Sequence, residues 1–389
     1  MAKLLPLTGA YAVAEAMRQI EPDVVAAYPI TPQTPIVERF ATFVANGLVK
    51  TELVRVESEH SAMSACVGAS AAGARAMTAT SSAGLALMWE ILGVASGLRL
   101  PIVMPVVNRA LSAPINIHCD HSDSMGASTL GWIQFYCESA QEAYESLLIA
   151  LKLAEDKEIM LPAMVMQDGF ITSHGVEPVK IYDDELVKEF IGSYEPDFTL
   201  LDIKRPVTFG PLELTDYYFE TKRQQAIAME RVKEKYIGIS REFEKKFGSK
   251  HGFFETYKLD DADVAIVTMS SAAGTVKTVV DRLRANGKKV GLLKIKMFRP
   301  FLHKEIANAL KDVKVIGTMD RSMSFGSYPP LFSEIRNALF DLDAKPLLQS
   351  YVFGLGGREL YEKDIANIFN ELLEKKVSKT VKFVGCRGD

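Results

Sequence analysis

The chain has 389 residues, of which 48% are hydrophobic and 24% charged, and its formal net charge is −4. This length predicts two or three domains, and the composition is that of a globular chain. A charge so near zero gives no sign of binding to nucleic acid or to an anionic membrane. No apolar stretch reaches the length of a membrane span, and the amino terminus lacks a long apolar segment, so we expect a cytoplasmic protein.

Short β-rich segments alternate with helix-like segments through the first 170 residues. The predicted strands are Asp23–Ala27, Leu53–Val56, Ala76–Thr80, Ile102–Val107 and Ala163–Gln167. The predicted helices are Ile36–Ala45, Glu59–Ala72, Leu85–Ser96 and Gln141–Ala154. This alternation predicts an α/β domain with a doubly wound parallel sheet, covered by helices on both faces. Because helix 59–72 is rich in Ala, Ser and Gly, we expect it to pack closely in the interior or at a subunit contact.

The chain changes character after residue 170. A loop-rich, proline-punctuated stretch leads to a charged helix at Thr221–Phe247, so residues 170–258 are interpreted as a linker with an excursion over the first domain. A second α/β unit follows. Its predicted strands are Val264–Met269, Val290–Ile295, Val313–Thr318 and Leu348–Phe353, and its predicted helices are Thr275–Asn286, Lys304–Lys311, Leu331–Ala338 and Lys363–Leu373. The predicted domains are therefore 1–240 and 258–375.

The four cysteines, at positions 66, 119, 137 and 386, lie far apart and include no C-x-x-C pair. This spacing predicts neither an iron–sulfur cluster nor a structural zinc site on this chain, and we expect buried thiols that act as small apolar side chains. The segment His118–His121 lacks a distant second ligand pair, and we interpret it as a hydrogen-bonding cluster. The sequence also lacks a P-loop, a complete G-x-G-x-x-G and a G-x-S-x-G elbow.

Three polar segments follow predicted strands. In Tyr28–Pro35, prolines at 29, 32 and 35 stiffen the loop that presents Thr31, although such loops are structural turns equally often. In Glu57–His60, two glutamates stand at a helix start, where one carboxylate is enough for capping. In Val107–Ala110, Arg109 could bind a carboxylate or lie on the surface. The carboxyl edge of a parallel sheet is the usual ligand site, so the three together predict a site there.

Several motifs taken together resemble the α subunits of the 2-oxoacid:ferredoxin oxidoreductase family, pyruvate:ferredoxin oxidoreductase (pyruvate synthase) among them. These motifs span nearly the whole chain: Tyr28–Pro32, Glu57–Ala62, Thr80–Met88, Asn108–Ala110, Gly131–Tyr136, Phe298–Phe301, Asp320–Arg321 and Gly354–Arg358. The resemblance implies a pyrimidine-type thiamine diphosphate-binding domain, followed by a domain like the carboxyl-terminal domain of transketolase.

The resemblance also implies that the site is shared between chains. Thiamine diphosphate enzymes commonly hold Mg²⁺ and the diphosphate with G-D-G and a later Asn, but this chain has only Gln167-Asp168-Gly169 and no such Asn. We therefore expect no metal here. The resemblance implies that a β subunit holds Mg²⁺ and the diphosphate, and that γ and ferredoxin-like δ subunits, or a fusion of them, hold the [4Fe–4S] clusters. Ferredoxin and coenzyme A are the other expected partners.

The roles that the resemblance implies fall on a few residues. Glu59 matches the carboxylate that shares a proton with N1′ of the cofactor's aminopyrimidine, beside the loop residues Tyr28, Pro29 and Ile30. Arg109 and Thr31 match the groups that receive the oxygens of the 2-oxoacid. Threonine at 31 favours a monocarboxylate with a small side chain, pyruvate first.

Alternatives remain for substrate and for function. Gly126–Leu130 replaces an Arg-Asp pair that many family members carry, so 2-oxoisovalerate, phenylglyoxylate or oxalate stay open as substrates. A β-type chain of a thiamine-dependent 2-oxoacid dehydrogenase is the rival enzyme. The alternative that is not an enzyme is a structural or regulatory subunit that only holds a catalytic partner chain.

Overall fold

The computed structural model describes residues 2–343 and 345–388. The strands are β1 (Lys3–Thr8), β2 (Val24–Ala27), β3 (Glu52–Arg55), β4 (Ala76–Met77), β5 (Val103–Asn108), β6 (Ile133–Cys137), β7 (Ala163–Asp168), β8 (Val176–Ile181), β9 (Phe254–Tyr257), β10 (Val264–Met269), β11 (Val290–Ile295), β12 (Met297–Arg299), β13 (Val315–Asp320), β14 (Leu347–Phe353) and β15 (Lys382–Val384). The helices are α1 (Gly9–Ile20), α2 (Thr34–Ala45), α3 (Glu59–Ala71), α4 (Ser82–Leu87), α5 (Trp89–Gly97), α6 (Ser122–Gly126), α7 (Ala140–Ala154), α8 (Asp184–Ile191), α9 (Tyr218–Phe247), α10 (Ala272–Ala285), α11 (His303–Leu310), α12 (Pro330–Leu339) and α13 (Glu362–Leu373). None of these helices is both long enough and apolar enough to cross a membrane.

Six parallel strands form most of the first sheet, in the order β6–β7–β5–β4–β2–β3, and β12 pairs antiparallel with β6 at one edge. Neighbouring strand residues face opposite sides of the sheet. Val25 packs in the cluster that contains α1, α2 and α7, whereas Ala26 packs in the cluster that contains α3 and α5. The predicted α/β fold, a parallel sheet with helices on both faces, is confirmed.

The second sheet has the order β15–β14–β13–β10–β11–β9, and only β9 is antiparallel to its neighbour. Helices α10 and α13 pack on one face of this sheet. The edge strands β9 and β15 lie outside the range 258–375, because strands of three and four residues give too weak a periodic signal to be recognised. The division of the chain at 240 and 258 itself stays a prediction.

Two local predictions differ from the structure. The helix predicted at Leu85–Ser96 is two helices, α4 and α5, because Met88 (φ −77°, ψ −7°) turns the chain between them. The stretch predicted as a loop-rich linker contains β8 and α8. Strand β8 pairs antiparallel with β1 at the start of the chain, so no local pattern reveals its partner.

The two sheets are joined through β12 and through a shared apolar cluster. Although β12 follows β11 in sequence, it pairs with β6 of the first sheet, so Phe298 is buried beside Tyr136 with ring centroids 6.0 Å apart. Residues of β10 and β11 pack in the same cluster as α3 and α5. The carboxyl-terminal unit therefore supports the face of the first sheet that carries α3.

A buried ion cluster also joins the two units. The Lys294 ammonium on β11 lies 2.6 Å from Glu138 and 3.2 Å from Glu142 of the first unit, and 2.9 Å from Glu255 on β9. Burial alone would raise the pKa of Glu142, but Lys296 and Lys294 outweigh it and hold that pKa well below its usual range. Removing one member of such a cluster leaves an uncompensated buried charge.

We expect Lys294→Met to lower the free energy of unfolding by about 3–5 kcal/mol, because it leaves the carboxylates of Glu138, Glu142 and Glu255 with only two cations, Lys277 and Lys296. Chemical denaturation of the purified chain measures this change. Lys314→Met is the matched control: Lys314 pairs with Asp263 at an exposed position, so its loss is expected to change stability little. Equal effects of the two substitutions would show that the buried cluster contributes no more than a surface pair.

Candidate functional site

The loop after β2 presents the first group of predicted residues at the carboxyl edge of the sheet. Its turn is closed by backbone bonds from Gln33 and Thr34 to the Ile30 carbonyl, at 2.7 and 3.1 Å. Tyr28 and Pro29 are exposed and Ile30 is half-buried. Thr31 is exposed, and its hydroxyl has no hydrogen-bond partner among the residues that the structure describes.

Glu59 is the first residue of α3, and Ser58 caps the helix by accepting a hydrogen bond from the Ser61 amide at 3.2 Å. The Glu59 side chain is only 6% exposed. It points towards Gly84, where a Cβ atom would lie 2.6 Å from Glu59 Oε1, so a side chain at position 84 would displace the carboxylate. Glu57, by contrast, is exposed and accepts a hydrogen bond from the Ser61 hydroxyl at 2.5 Å. Of the two glutamates, only Glu59 is buried.

Arg109 is buried directly after β5 and contacts the loop that carries Thr31. Its Nη1 donates to the Thr31 carbonyl at 2.8 Å and its Nε to the Asn116 carbonyl at 2.9 Å. Its Nη2 has no partner within residues 2–343 and 345–388. The structure thus brings two of the predicted residues, Arg109 and Thr31, into direct contact and leaves one guanidinium nitrogen free to bind an anion.

Asp123, on α6, is not among the residues predicted from the sequence. It is 4% exposed and accepts four hydrogen bonds, from the amides of Ser82, Arg109 and Ser124 and from the Asn108 side chain. Burial raises the pKa of Asp123 to about 6, although these donors lower it in part. In the sequence, Asp123 stands two residues after the polar segment His118–His121, but no local pattern shows which loops its side chain contacts.

The segment His118–His121 contributes to the junction between the two units. His121 lies 2.7 Å from Asp168, which also contacts Ser271 and lies 3.4 Å from the Arg321 guanidinium. Burial alone would raise the pKa of Asp168, but Arg321 and His121 hold it well below its usual range. The interpretation of His121 as a hydrogen-bonding residue is therefore confirmed.

Cys119, His121 and Asp168 bring potential metal ligands within 4.8 Å of one another. The buried Arg321 guanidinium already supplies the positive charge at this position, which opposes a metal cation there. Burial raises the pKa of the Cys119 thiol, so it is a poor thiolate ligand. Cys66, Cys119 and Cys137 are buried as predicted, whereas Cys386 is exposed, which corrects that prediction because the tail around it has little packing.

The residues around Glu59 fit the pyrimidine half of thiamine diphosphate. The Glu59 carboxylate is buried yet has no hydrogen-bond partner among the described residues, and the Thr80 hydroxyl nearby is buried and unpartnered as well. Buried polar groups without partners are costly, so a ligand that donates a hydrogen bond would stabilise them.

Comparisons with known proteins show the family of the chain. Residues 15–239 match the family model described as "Pyruvate flavodoxin/ferredoxin oxidoreductase, thiamine diP-bdg", and residues 262–365 match "Pyruvate:ferredoxin oxidoreductase core domain II". The chain is 56% identical to the pyruvate synthase subunit PorA of Thermotoga maritima, over 98% of this chain and 97% of that one. It is 44% identical to the ketoisovalerate oxidoreductase subunit VorA of Pyrococcus abyssi, over 97% and 94% of the two chains.

Solved structures share the fold at low sequence identity. The 2-oxoglutarate:ferredoxin oxidoreductase of Magnetococcus marinus, solved with 2-oxoglutarate, coenzyme A and succinyl-CoA bound, superposes with a TM-score of 0.74 at 21% identity. That match covers 95% of this chain but 65% of the longer one. A split-gene transketolase, in an inactive β4 tetramer, superposes with a TM-score of 0.57 at 12% identity and covers 95% of this chain.

Proposed function

The chain belongs to the pyruvate flavodoxin/ferredoxin oxidoreductase family, and from that premise we propose that it is the α subunit of a pyruvate:ferredoxin oxidoreductase. The complete reaction converts pyruvate, coenzyme A and two oxidised ferredoxins to acetyl-CoA, CO₂, a proton and two reduced ferredoxins. The observation that carries this proposal is a buried, unpartnered Glu59 carboxylate at the same sheet edge as a contact between Arg109 and Thr31.

Glu59 is proposed to hold a proton at N1′ of the aminopyrimidine of thiamine diphosphate. Bound thiamine diphosphate supplies the electron sink for decarboxylation. Glu59 is the first residue of α3, so its carboxylate lies at the positive end of the helix dipole. Because no described residue donates a hydrogen bond to the largely buried Glu59 side chain, its carboxylate is available to exchange a proton with the ligand.

Arg109 and Thr31 are proposed to hold the 2-oxoacid. The free Nη2 of Arg109 pairs with the substrate carboxylate, while Nη1 and Nε stay bound to backbone carbonyls that fix the guanidinium plane. The unpartnered Thr31 hydroxyl donates to a keto or carboxylate oxygen. Tyr28, Pro29 and Ile30 form the wall of the same loop and are proposed to contact the cofactor.

The remaining half of the site is proposed to come from partner chains: a β subunit with Mg²⁺ and the diphosphate, and γ and δ subunits or their fusion with the [4Fe–4S] clusters. An exposed apolar surface beside Glu59 supports this. Leu87 is 51% and Trp89 54% exposed, and the next residue, Glu90, lies 3.7 Å from His60 on α3. Large apolar side chains exposed beside a ligand site are typical of a protein interface. The three buried thiols suit the reducing cytoplasm, where we propose the complex works.

We expect Trp89→Asp to prevent co-purification of the β subunit, because it places a charge at the centre of the proposed interface. Size-exclusion chromatography of the complex measures this loss. Leu48→Asp is the matched control, since Leu48 is 58% exposed at the opposite edge of the sheet. If the Trp89 variant co-purifies as fully as the control, the interface lies elsewhere.

A substrate panel on the complete complex tests the proposed function. Pyruvate is expected to give the largest kcat/KM for viologen dye reduction with coenzyme A, ahead of 2-oxoisovalerate, 2-oxoglutarate, phenylglyoxylate and oxalate. A preference for 2-oxoisovalerate would assign the chain to branched-chain substrates. Activity that requires lipoamide in place of a one-electron acceptor would favour the 2-oxoacid dehydrogenase alternative.

A further inference from the structure

We propose that Asp123 is a positioning residue. Its buried carboxylate fixes two elements of the site, the loop that carries Arg109 and the helix that packs beside Glu59. The proposal rests on the proposed roles of Arg109 and Glu59. Asp123 lies on α6 and meets both residues only through the backbone of neighbouring loops, so it touches neither substrate nor cofactor. Its two oxygens each accept two hydrogen bonds.

The first of these loops carries Arg109. Asp123 Oδ2 accepts from the Arg109 amide at 3.0 Å, and Oδ1 accepts from Asn108 Nδ2 at 2.8 Å. The adjacent Ala110 carbonyl accepts from the Ser82 hydroxyl at 2.6 Å. These bonds fix the backbone where the Arg109 side chain begins, and hence the distance between its guanidinium and the Thr31 loop.

The second loop supports Glu59. Asp123 Oδ2 also accepts from the amide of Ser82 at 2.9 Å, and Ser82 is a buried residue with φ +46°. A non-glycine residue in this left-handed region is strained and persists only where its surroundings hold it. Ser82 begins α4, which carries the Gly84 backbone past the Glu59 carboxylate. Loss of the bond from Ser82 to Asp123 would let α4 move into the space beside Glu59.

An aspartate is required here because all four neighbours of the carboxylate are donors. An asparagine of the same shape offers one oxygen to two of them and turns an NH₂ group towards the other two, which leaves unpaired buried groups. We therefore expect the asparagine substitution to lower activity much more than stability, because a small displacement of a binding group strongly reduces the rate.

The test compares Asp123→Asn with Asp320→Asn in the complete complex. Asp320 is a matched control: it is equally buried and accepts backbone amides of Leu331 and Phe332 at the start of α12 in the second unit. For Asp123→Asn we expect kcat/KM for the 2-oxoacid to fall about 10²-fold, with a raised KM for the 2-oxoacid and an unchanged KM for coenzyme A. For Asp320→Asn we expect both KM values to stay at the wild-type level.

A purely structural role predicts a different result, namely that both variants lose only kcat, in proportion to the fraction of folded complex. That outcome would overturn the proposal. If Asp123→Asn does not assemble, Asn108→Ala decides, because it removes one donor and keeps the carboxylate: a raised KM for the 2-oxoacid supports the proposal, and a wild-type KM overturns it. Both variants are measured with whichever 2-oxoacid the wild-type complex oxidises. If that substrate is not pyruvate, the proposed function changes but the test of Asp123 still applies.

Discussion

Replacing Glu59 with glutamine is expected to lower kcat of the complete complex with pyruvate by about 10²–10⁴-fold, the usual contribution of one positioned acid–base group. Glutamine keeps the shape of the side chain beside Gly84 but cannot exchange a proton with the ligand. Because the Glu59 side chain makes no hydrogen bond to another described residue, we expect its contribution to folding to be small and the melting temperature to stay near that of the wild type. Viologen dye reduction and a thermal melt measure the two quantities.

Glu57→Gln is the matched control for this experiment. Glu57 lies two residues away on the same strand-to-helix connection, but its carboxylate is exposed and bonds only to Ser61. We expect wild-type kcat and KM for Glu57→Gln. Normal pyruvate-dependent dye reduction by Glu59→Gln would show that the carboxylate is not the proton-sharing group, and an equal loss in both variants would point to disturbance of α3 as a whole.

Replacing Arg109 with lysine is expected to lower kcat/KM for pyruvate by about 10²-fold, mainly through KM. A lysine keeps the charge, but its donors all lie on one nitrogen, which cannot replace the separate Nε, Nη1 and Nη2 atoms that face Asn116, Thr31 and the proposed substrate carboxylate. Each hydrogen bond to a charged group contributes about 1.5–3 kcal/mol, which corresponds to this loss. Steady-state kinetics with varied pyruvate measures it.

Arg99→Lys provides the matched control for Arg109. Arg99 is also a partly buried arginine that donates to backbone carbonyls, those of Ile159 and Met160, but it lies beyond the far end of α5. We expect Arg99→Lys to keep the wild-type KM for pyruvate. A wild-type KM for Arg109→Lys as well would remove Arg109 from the substrate site and leave it as a support for the Thr31 loop.

The sequence was sufficient for the parts of the fold that depend on local periodicity. Strands β10 and β11 begin and end at the predicted residues, and α3 begins at Glu59 as predicted. The parallel arrangement followed from the alternation of strands and helices. Strand β8 and its partner β1 were missed because their pairing joins distant parts of the chain, and Pro178 interrupts the pattern of β8.

The candidate site was predictable where a motif occupies one strand end. Thr31 and Arg109 were both predicted from such motifs, and the structure adds that the Arg109 guanidinium binds the Thr31 backbone. The motif alone does not show that Glu57 is exposed and Glu59 buried, because this depends on the direction in which α3 leaves the strand. Asp123 could not be predicted, because its role depends on three loops that meet only in the folded chain.

The central claim is that this chain holds half of a thiamine-dependent site and needs a partner chain for the other half. The most direct measurement is pyruvate-dependent reduction of a viologen dye by the purified chain, with thiamine diphosphate, Mg²⁺ and coenzyme A, before and after addition of its partner chains. The predicted result is a folded chain with no activity alone and full activity in the reconstituted complex. Dye reduction by the chain alone would contradict the claim.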